Sequence, residues 1–365
     1  MRFAHFSHVW MKEGLTPHQR YEQLWRELAL CDTLGFDYGF SVEHHFTRRE
    51  SWMSSPNLYT VAAAARTKRI RLGAMGHVVP LHHPIRLLEE IAIVDQMLDG
   101  RLEVGLVAGI LPSYFEPFGI DFKTRRDVTL EFARFLKAAL SCAPDPVSFT
   151  GQVISAKDLE ISVTPRQRPY PPLWMETRDV PTLAFCAREG LHTGYFLLFP
   201  RKVAKSRYAP YLKGWKEHGW PGTPNIAYST VCYVDETDEK ALAVALADAG
   251  RAYKGFFSYS DDPAEIRAKQ IEASDYFKVR GEPEAAEILL NMLDPDYLLE
   301  HDLILIGSPE TVTRKLKAWA NEGSFNTFFG EFNFGAISEQ NLMNSLRLFG
   351  EHVIPALRGF EPFQC

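Results

Sequence analysis

Eight apolar runs of strand length recur along this chain, and helix-length amphipathic patterns lie between them. The runs cover residues 2–6, 38–42, 71–79, 102–108, 172–175, 193–198, 226–234 and 327–332. Helical patterns fall near residues 17–34, 56–67, 84–97, 124–140, 180–189, 201–218, 237–257, 309–322 and 338–350. Some carry start signals, as where Ser308 precedes Pro309 and Glu310, or Ser338 precedes Asn341. Strands this apolar are covered on both faces, as in parallel sheets. Eight of them alternating with helices predict an α/β fold, the (β/α)₈ TIM barrel with insertions. The chain reads as one such domain over residues 1–365, interrupted twice. Residues 142–171 hold Pro144, Pro146, Gly151, Pro165, Pro169 and Pro171, with Pro172 next, around an alternating piece, which predicts an inserted β-hairpin or loop. Residues 258–302 are charged and carry Asp261-Asp262-Pro263, Gly281, Pro283 and Pro295. A stretch that long between barrel elements predicts a lid or helical cap, a plain surface insertion being the alternative.

With 46% hydrophobic residues there is ample material for a core. The charge of 40 − 46 = −6 and the lack of a long basic run speak against nucleic acid as a partner. Cys31, Cys142, Cys186, Cys232 and Cys365 show neither a CxxC pair nor metal-ligand spacing, which fits a reducing cytoplasm and no metal site. No eighteen-residue apolar segment is present, and the start reads as a strand instead of a signal peptide. A soluble cytoplasmic protein, not a membrane protein, is the expectation.

Chemistry concentrates at the end of the second run, in Val42-Glu43-His44-His45-Phe46-Thr47. Carboxyl ends of parallel strands face the site in barrels and open sheets alike. Histidine moves protons near neutral pH, so His44, Glu43 and His45 are the catalytic candidates. The alternative is one packed and one solvated histidine. His5 and His8, three apart on a strand, should face opposite sides, which counts against the convergent ligands of a metal-dependent hydrolase. Neither GxGxxG after a strand nor GxxxxGK[ST] occurs. Leu87, Leu88, Ile91, Val94 and Met97 form the apolar face of a helix ended by Gly100, and Asp95 is the expected partner of Arg101.

Several segments stand in a telling order. Gly35-Phe36-Asp37 leads into Glu43-His44-His45-Phe46, followed by Ala62-Ala63-Ala64-Ala65-Arg66-Thr67 and Ile70-Arg71-Leu72-Gly73. Val78-Val79-Pro80, His83-Pro84, Asp95-Gln96-Met97-Leu98-Asp99-Gly100-Arg101 and Gly307-Ser308-Pro309-Glu310-Thr311-Val312 complete the series. In these, and over nearly its whole length, the chain resembles the bacterial luciferase-like flavin-dependent monooxygenases. The resemblance implies reduced FMN reacting with O₂ through a flavin C4a-peroxide to oxygenate a small organic substrate. It also implies a homodimer and a separate NAD(P)H:flavin reductase. His44 would be the base or hydrogen-bonding partner, with Glu43 and His45 orienting it or supporting the strand end. Met75-Gly76 matches the place where the family passes a distorted backbone, including a non-prolyl cis peptide, against the flavin ring. Arg126, Arg178, Asp179 and Thr182 match the phosphate positions. Ala108 stands where such sequences often carry arginine; Arg178 could restore that charge, and Asp179 should cap the helix after it. His77, Trp10, Phe332 and Phe334 would line the substrate side or pack, and His82 and His83 would cap the third helix. The alternatives are an F420-dependent oxidoreductase of the same superfamily, a metal-dependent barrel hydrolase and a flavoprotein without catalysis.

Overall fold

In the computed structural model, residues 1–47, 50–254, 262–279 and 281–363 are described. Cys365, Asp261 and the rest of 258–261 lie outside these residues. All eight expected strands form: β1 (Arg2–Ser7), β2 (Tyr38–Ser41), β3 (Arg71–Val78), β4 (Leu102–Val107), β7 (Leu173–Glu176), β8 (His192–Phe196), β9 (Ile226–Val234) and β11 (Thr327–Glu331). Each pairs in parallel with the next, β8 pairs with β9, and β11 returns to β1, so the sheet closes into a TIM barrel. Around it lie α1 (Pro17–Leu34), α2 (Pro56–Ala64), α3 (Pro84–Met97), α5 (Arg125–Cys142), α6 (Val180–Glu189), α7 (Arg201–Glu217), α8 (Asp238–Ala252), α12 (Pro309–Gly323) and α13 (Glu339–Leu348). A one-turn helix, α4 (Pro112–Phe115), follows β4, and α14 (Ile354–Leu357) follows α13.

The strand period of two sorts the apolar residues. Ala4, Phe6, Tyr38, Phe40, Val42, Met75, Trp174, Ala227 and Phe329 fill the barrel interior. The other faces pack under the helices, where Cys31 and Cys186 are buried as ordinary packing residues. Each buried Phe, Leu or Val is worth roughly 1.5–3 kcal/mol. Helix starts use the chemistry legible in the sequence. Thr16 and Gln19 form a capping box on either side of Pro17, while Ser308 and Ser338 each accept an amide from three residues on. Buried Glu27 of α1 meets Arg20 at 2.9 Å, His5 at 2.9 Å and Asn333 at 2.5 Å, fastening the helix to β1 and to the end of β11.

The two interruptions differ. Residues 142–171 contain an antiparallel hairpin, β5 (Val147–Thr150) with β6 (Ser155–Leu159). Its tip is held by Glu131 of α5, which accepts from the amides of Gln152, Val153 and Ile154 at 2.6–2.8 Å. After α8 come α9 (Pro263–Val279), α10 (Pro283–Asn291) and α11 (Pro295–Glu300), then β10 (Leu305–Gly307), which pairs with the outer half of β9. Gly281, Pro283 and Pro295 fall at the helix breaks, as their backbone preferences require.

Two local expectations are corrected. Asp95 accepts from the backbone and side-chain nitrogens of Gln167, whereas Arg101 donates to Thr67 and to the Ile70 carbonyl. Distance in sequence hid Gln167, which the insertion brings back to α3. Met97 is 62% exposed, beyond the edge of the buried helix face. Of the two roles open to Phe332 and Phe334, packing is the one seen: both are fully buried in the main core, Phe332 on Phe36 and Phe349.

Candidate functional site

The carboxyl ends of β1, β2, β3, β7 and β11 carry the polar side chains of the mouth. Glu43 follows β2 and is almost fully buried. It accepts from Nε2 of His45 at 2.8 Å, from Nε2 of His82 at 2.9 Å and from the amide of Val78 at 2.7 Å. Burial alone would raise its pKa, but the His45 and His82 hydrogen bonds hold it down at about 2. Burial likewise opposes charge on His82, and the bond to Glu43 outweighs it, raising that imidazole. Glu43 therefore clasps the end of β2 to β3 and to the turn after it. His82 does this work instead of capping α3, and His83 at the cap position makes no side-chain cap bond. His77 lies against the Gly105 carbonyl at 3.1 Å and Asn57 at 3.0 Å, and burial, with His82 beside it, lowers it to about 4.

His44 belongs to a different group. Its Nδ1 lies 2.9 Å from Oε1 of buried Glu50, its amide donates to Met53, and its ring meets those of His8 at 5.3 Å and Tyr114 at 5.8 Å. Glu50 fixes the ring, leaving Nε2 as the nitrogen opposite the carboxylate. His8 stacks on Trp10 at 4.3 Å, and its Nδ1 lies 2.7 Å from Glu331 at the end of β11. The neighbouring His5 points the other way, to Glu27, as the strand period predicts. At the end of β7, burial pushes Glu176 up to about 7, and its Oε1 has no hydrogen-bond partner among the described residues. Glu50, Glu331 and Glu176 escaped the sequence reading. Glu176 and Glu331 had a signal, since each ends an apolar strand run with a lone carboxylate.

The residues matched to a flavin fall in two groups, one on β3 and one where α5 meets the start of α6. The Met75–Gly76 peptide in β3 is cis, and the β3–β4 register shifts between Ala74 and His77. A Cβ on Gly76 would fall 2.4 Å from the Gly105 backbone carbon, and one on Gly105 would fall 2.2 Å from the Ala74 oxygen. Two bare backbones touch there, as only glycine permits. The others gather at the start of α6. Asp179 caps it, accepting from the amide of Thr182 at 3.0 Å and its hydroxyl at 2.7 Å, and Arg126 pairs with Asp179 at 2.6 Å. Arg178 pairs with Glu282 at 3.0 Å and stacks on Phe277 at 4.6 Å, so the α9–α10 corner reaches the end of β7. No group of His, Cys, Asp or Glu among the described residues could hold a metal ion, and no helix there is long and apolar enough to cross a membrane.

Known proteins share this architecture. The alkanal monooxygenase alpha chain of Photobacterium leiognathi is 26% identical over 98% of this chain and 99% of its own. The oxygenating constituent of 3,6-diketocamphane monooxygenase of Pseudomonas putida, a type II Baeyer-Villiger monooxygenase solved with FMN, superposes with a TM-score of 0.76 at 21% identity. It covers 97% of this chain and 98% of that one. An F420-dependent secondary alcohol dehydrogenase shares the fold with a TM-score of 0.67 at 17% identity, covering 98% and 99%. The model of the luciferase-like monooxygenases matches residues 1–325, the histidine-bearing mouth included, and the chain belongs to that family.

Proposed function

We propose that this protein is the oxygenating component of a two-component flavin-dependent monooxygenase. It would take reduced FMN from a separate NAD(P)H:flavin reductase and pass one oxygen atom of O₂ to a small organic substrate. The observation that carries this reading is His44, fixed by Glu50 at the carboxyl mouth of a luciferase-like barrel. Reduced FMN, when bound, supplies the electrons that activate O₂. The rest falls to the chain. Gly76 and Gly105 let the backbone of β3 and β4 run without side-chain bulk where a flat ring would lie. Arg126, Arg178 and the start of α6, whose cap Thr182 completes, offer positive charge and hydrogen-bond donors for a phosphate. Asp179 suits that site because Arg126 and the Thr182 donors already answer its charge. Met75 lines the barrel interior beneath. His44 takes or shares a proton at Nε2, and the Glu43–His45–His82 clasp keeps the strand end that carries it in place. The helices α9 to α11 act as the cover that keeps water from the reacting groups.

Titration of reduced FMN, oxidised FMN and oxidised F420, followed by fluorescence and rapid mixing, tests the reading. Reduced FMN should bind the tightest, because a two-component enzyme must capture a diffusing reduced flavin. Tight F420 binding with none of FMN would replace oxygenation by hydride transfer. Turnover of a panel of aldehydes and cyclic ketones with an added reductase would then identify the substrate class.

A further inference from the structure

We propose that His8 is a second proton donor of the site, recharged by Glu331 behind it. The inference rests on the monooxygenase reading only for the identity of the proton's destination. β1 and β11 are neighbours in the barrel, with Phe6 opposite Glu331. Oε2 of Glu331 accepts from the backbone amide of His8 at 3.1 Å and lies 2.7 Å from its Nδ1. The carboxyl group is 5% exposed and the imidazole 16%, so the acid is shielded while the ring reaches the mouth. Oε1 of Glu331 has no hydrogen-bond partner among the described residues. His8 and His44 present their rings to each other at 5.3 Å, each backed by its own carboxylate. His8–Glu331 thus stands at the mouth as an imidazole–carboxyl pair facing that of His44 and Glu50, apart from the Glu43 clasp.

The pairs are not equivalent. Glu331 faces His5 of β1 and His8 just after it, Arg20 and Glu27 of α1, and Tyr253 after α8. Burial dominates over the amide, His5 and Arg20, and pushes Glu331 up to about 8. Burial, with His44 adjacent, pushes His8 down to about 3 despite Glu50. Burial of both groups favours their uncharged forms, and we take the resting pair as neutral, with the proton on Glu331. Glu331 donates to Nδ1, which places the ring hydrogen of His8 on Nε2. An oxyanion developing on a bound substrate takes that Nε2 hydrogen while the Glu331 proton moves to Nδ1. The result is a neutral product hydroxyl, a neutral His8 of the opposite tautomer and a Glu331 carboxylate. A proton from solvent restores the pair. Glu331 is the positioning residue, and His8 is the group that touches substrate.

Infrared difference spectroscopy of the flavin-free protein tests the resting state without any substrate. Subtracting Glu331→Gln from wild type at pH 7 should leave a protonated-carboxyl C=O band that fades as pH rises through about 8. His8→Gln should keep a protonated-carboxyl band. Absence of the wild-type band at pH 7 overturns the proposal even if the protein proves to be a monooxygenase. With the aldehyde and ketone panel, Glu331→Gln should bind reduced FMN within about twofold of wild type. Its kcat/KM should fall about 10²-fold, in the range of general acid–base catalysis, and lose the alkaline limb near pH 8. Glu331→Asp should recover part of that limb; a normal pH profile in Glu331→Gln also overturns the relay. Failure of the panel to turn over leaves the infrared result to decide.

Discussion

Two histidines adjacent in sequence part company in space. His44 turns to Glu50 and the mouth; His45 turns back to Glu43. His44→Ala should keep the circular dichroism and flavin affinity of the native protein and lower product formation about 10²-fold or more. Glu50→Gln should show a smaller loss, because the ring survives and only its anchor weakens. Product formation by both variants in single-turnover assays checks the pair, and normal turnover in His44→Ala would return that residue to a structural role. Glu43→Gln should instead cost stability, roughly 3 kcal/mol for breaking a buried charged cluster from one side. The sign with pH follows from the depressed carboxylate. Its contribution is complete above the unfolded value near 4.5 and is lost as pH falls towards about 2. The raised His82 runs the other way, contributing below its unfolded value near 6.5 and losing that contribution as pH rises through its folded one. Melting temperatures of wild type and Glu43→Gln should therefore converge in acid and separate towards neutrality.

Among the elements, the β3–β4 seam and the α6 start carry the sharpest expectations. Gly105→Ala would drive a Cβ into the Ala74 carbonyl, a backbone clash with no side chain to yield. It should destabilise by at least the ~1–3 kcal/mol of ordinary overpacking, and urea denaturation measures this. Arg178 can answer either Glu282 or a phosphate. Glu282→Gln should accordingly tighten reduced FMN several-fold while leaving riboflavin, which lacks the phosphate, unchanged. Equal effects on both ligands would remove Arg178 from the phosphate site. Strands and helix starts were legible in the sequence because they rest on local rules: apolar runs, prolines at first turns and capping hydroxyls. The Glu43 motif was legible as a place but not as a set of bonds. Glu50 lies six residues from His44 and Glu331 lies 323 residues from His8, and only barrel closure brings the latter pair together. Arg101 and Asp95 misled for the converse reason, since proximity along the chain is no measure of contact across a fold.

Taken as a whole, the barrel wears two attachments of opposite character. The β5–β6 hairpin is riveted by Glu131, whose carboxylate collects three successive amides. The α9–α10 corner reaches the end of β7 through Arg178, held by Glu282 and Phe277. Limited proteolysis without ligand should cut first within residues 262–300, with protection when flavin and substrate are present; first cuts in the hairpin would argue against a moving cover. Removing residues 262–300 should spare flavin binding and divert reducing equivalents to hydrogen peroxide, which a peroxide assay reads directly. The Glu131 rivet has a consequence of its own. Because one carboxylate accepts all three amides, the hairpin tip cannot fray one bond at a time. The amide hydrogens of Gln152, Val153 and Ile154 should exchange with deuterium at one shared rate. Protonating or replacing Glu131 should release them together; left intact, the hairpin is a built-in stationary reference against which any movement of α9 to α11 can be timed.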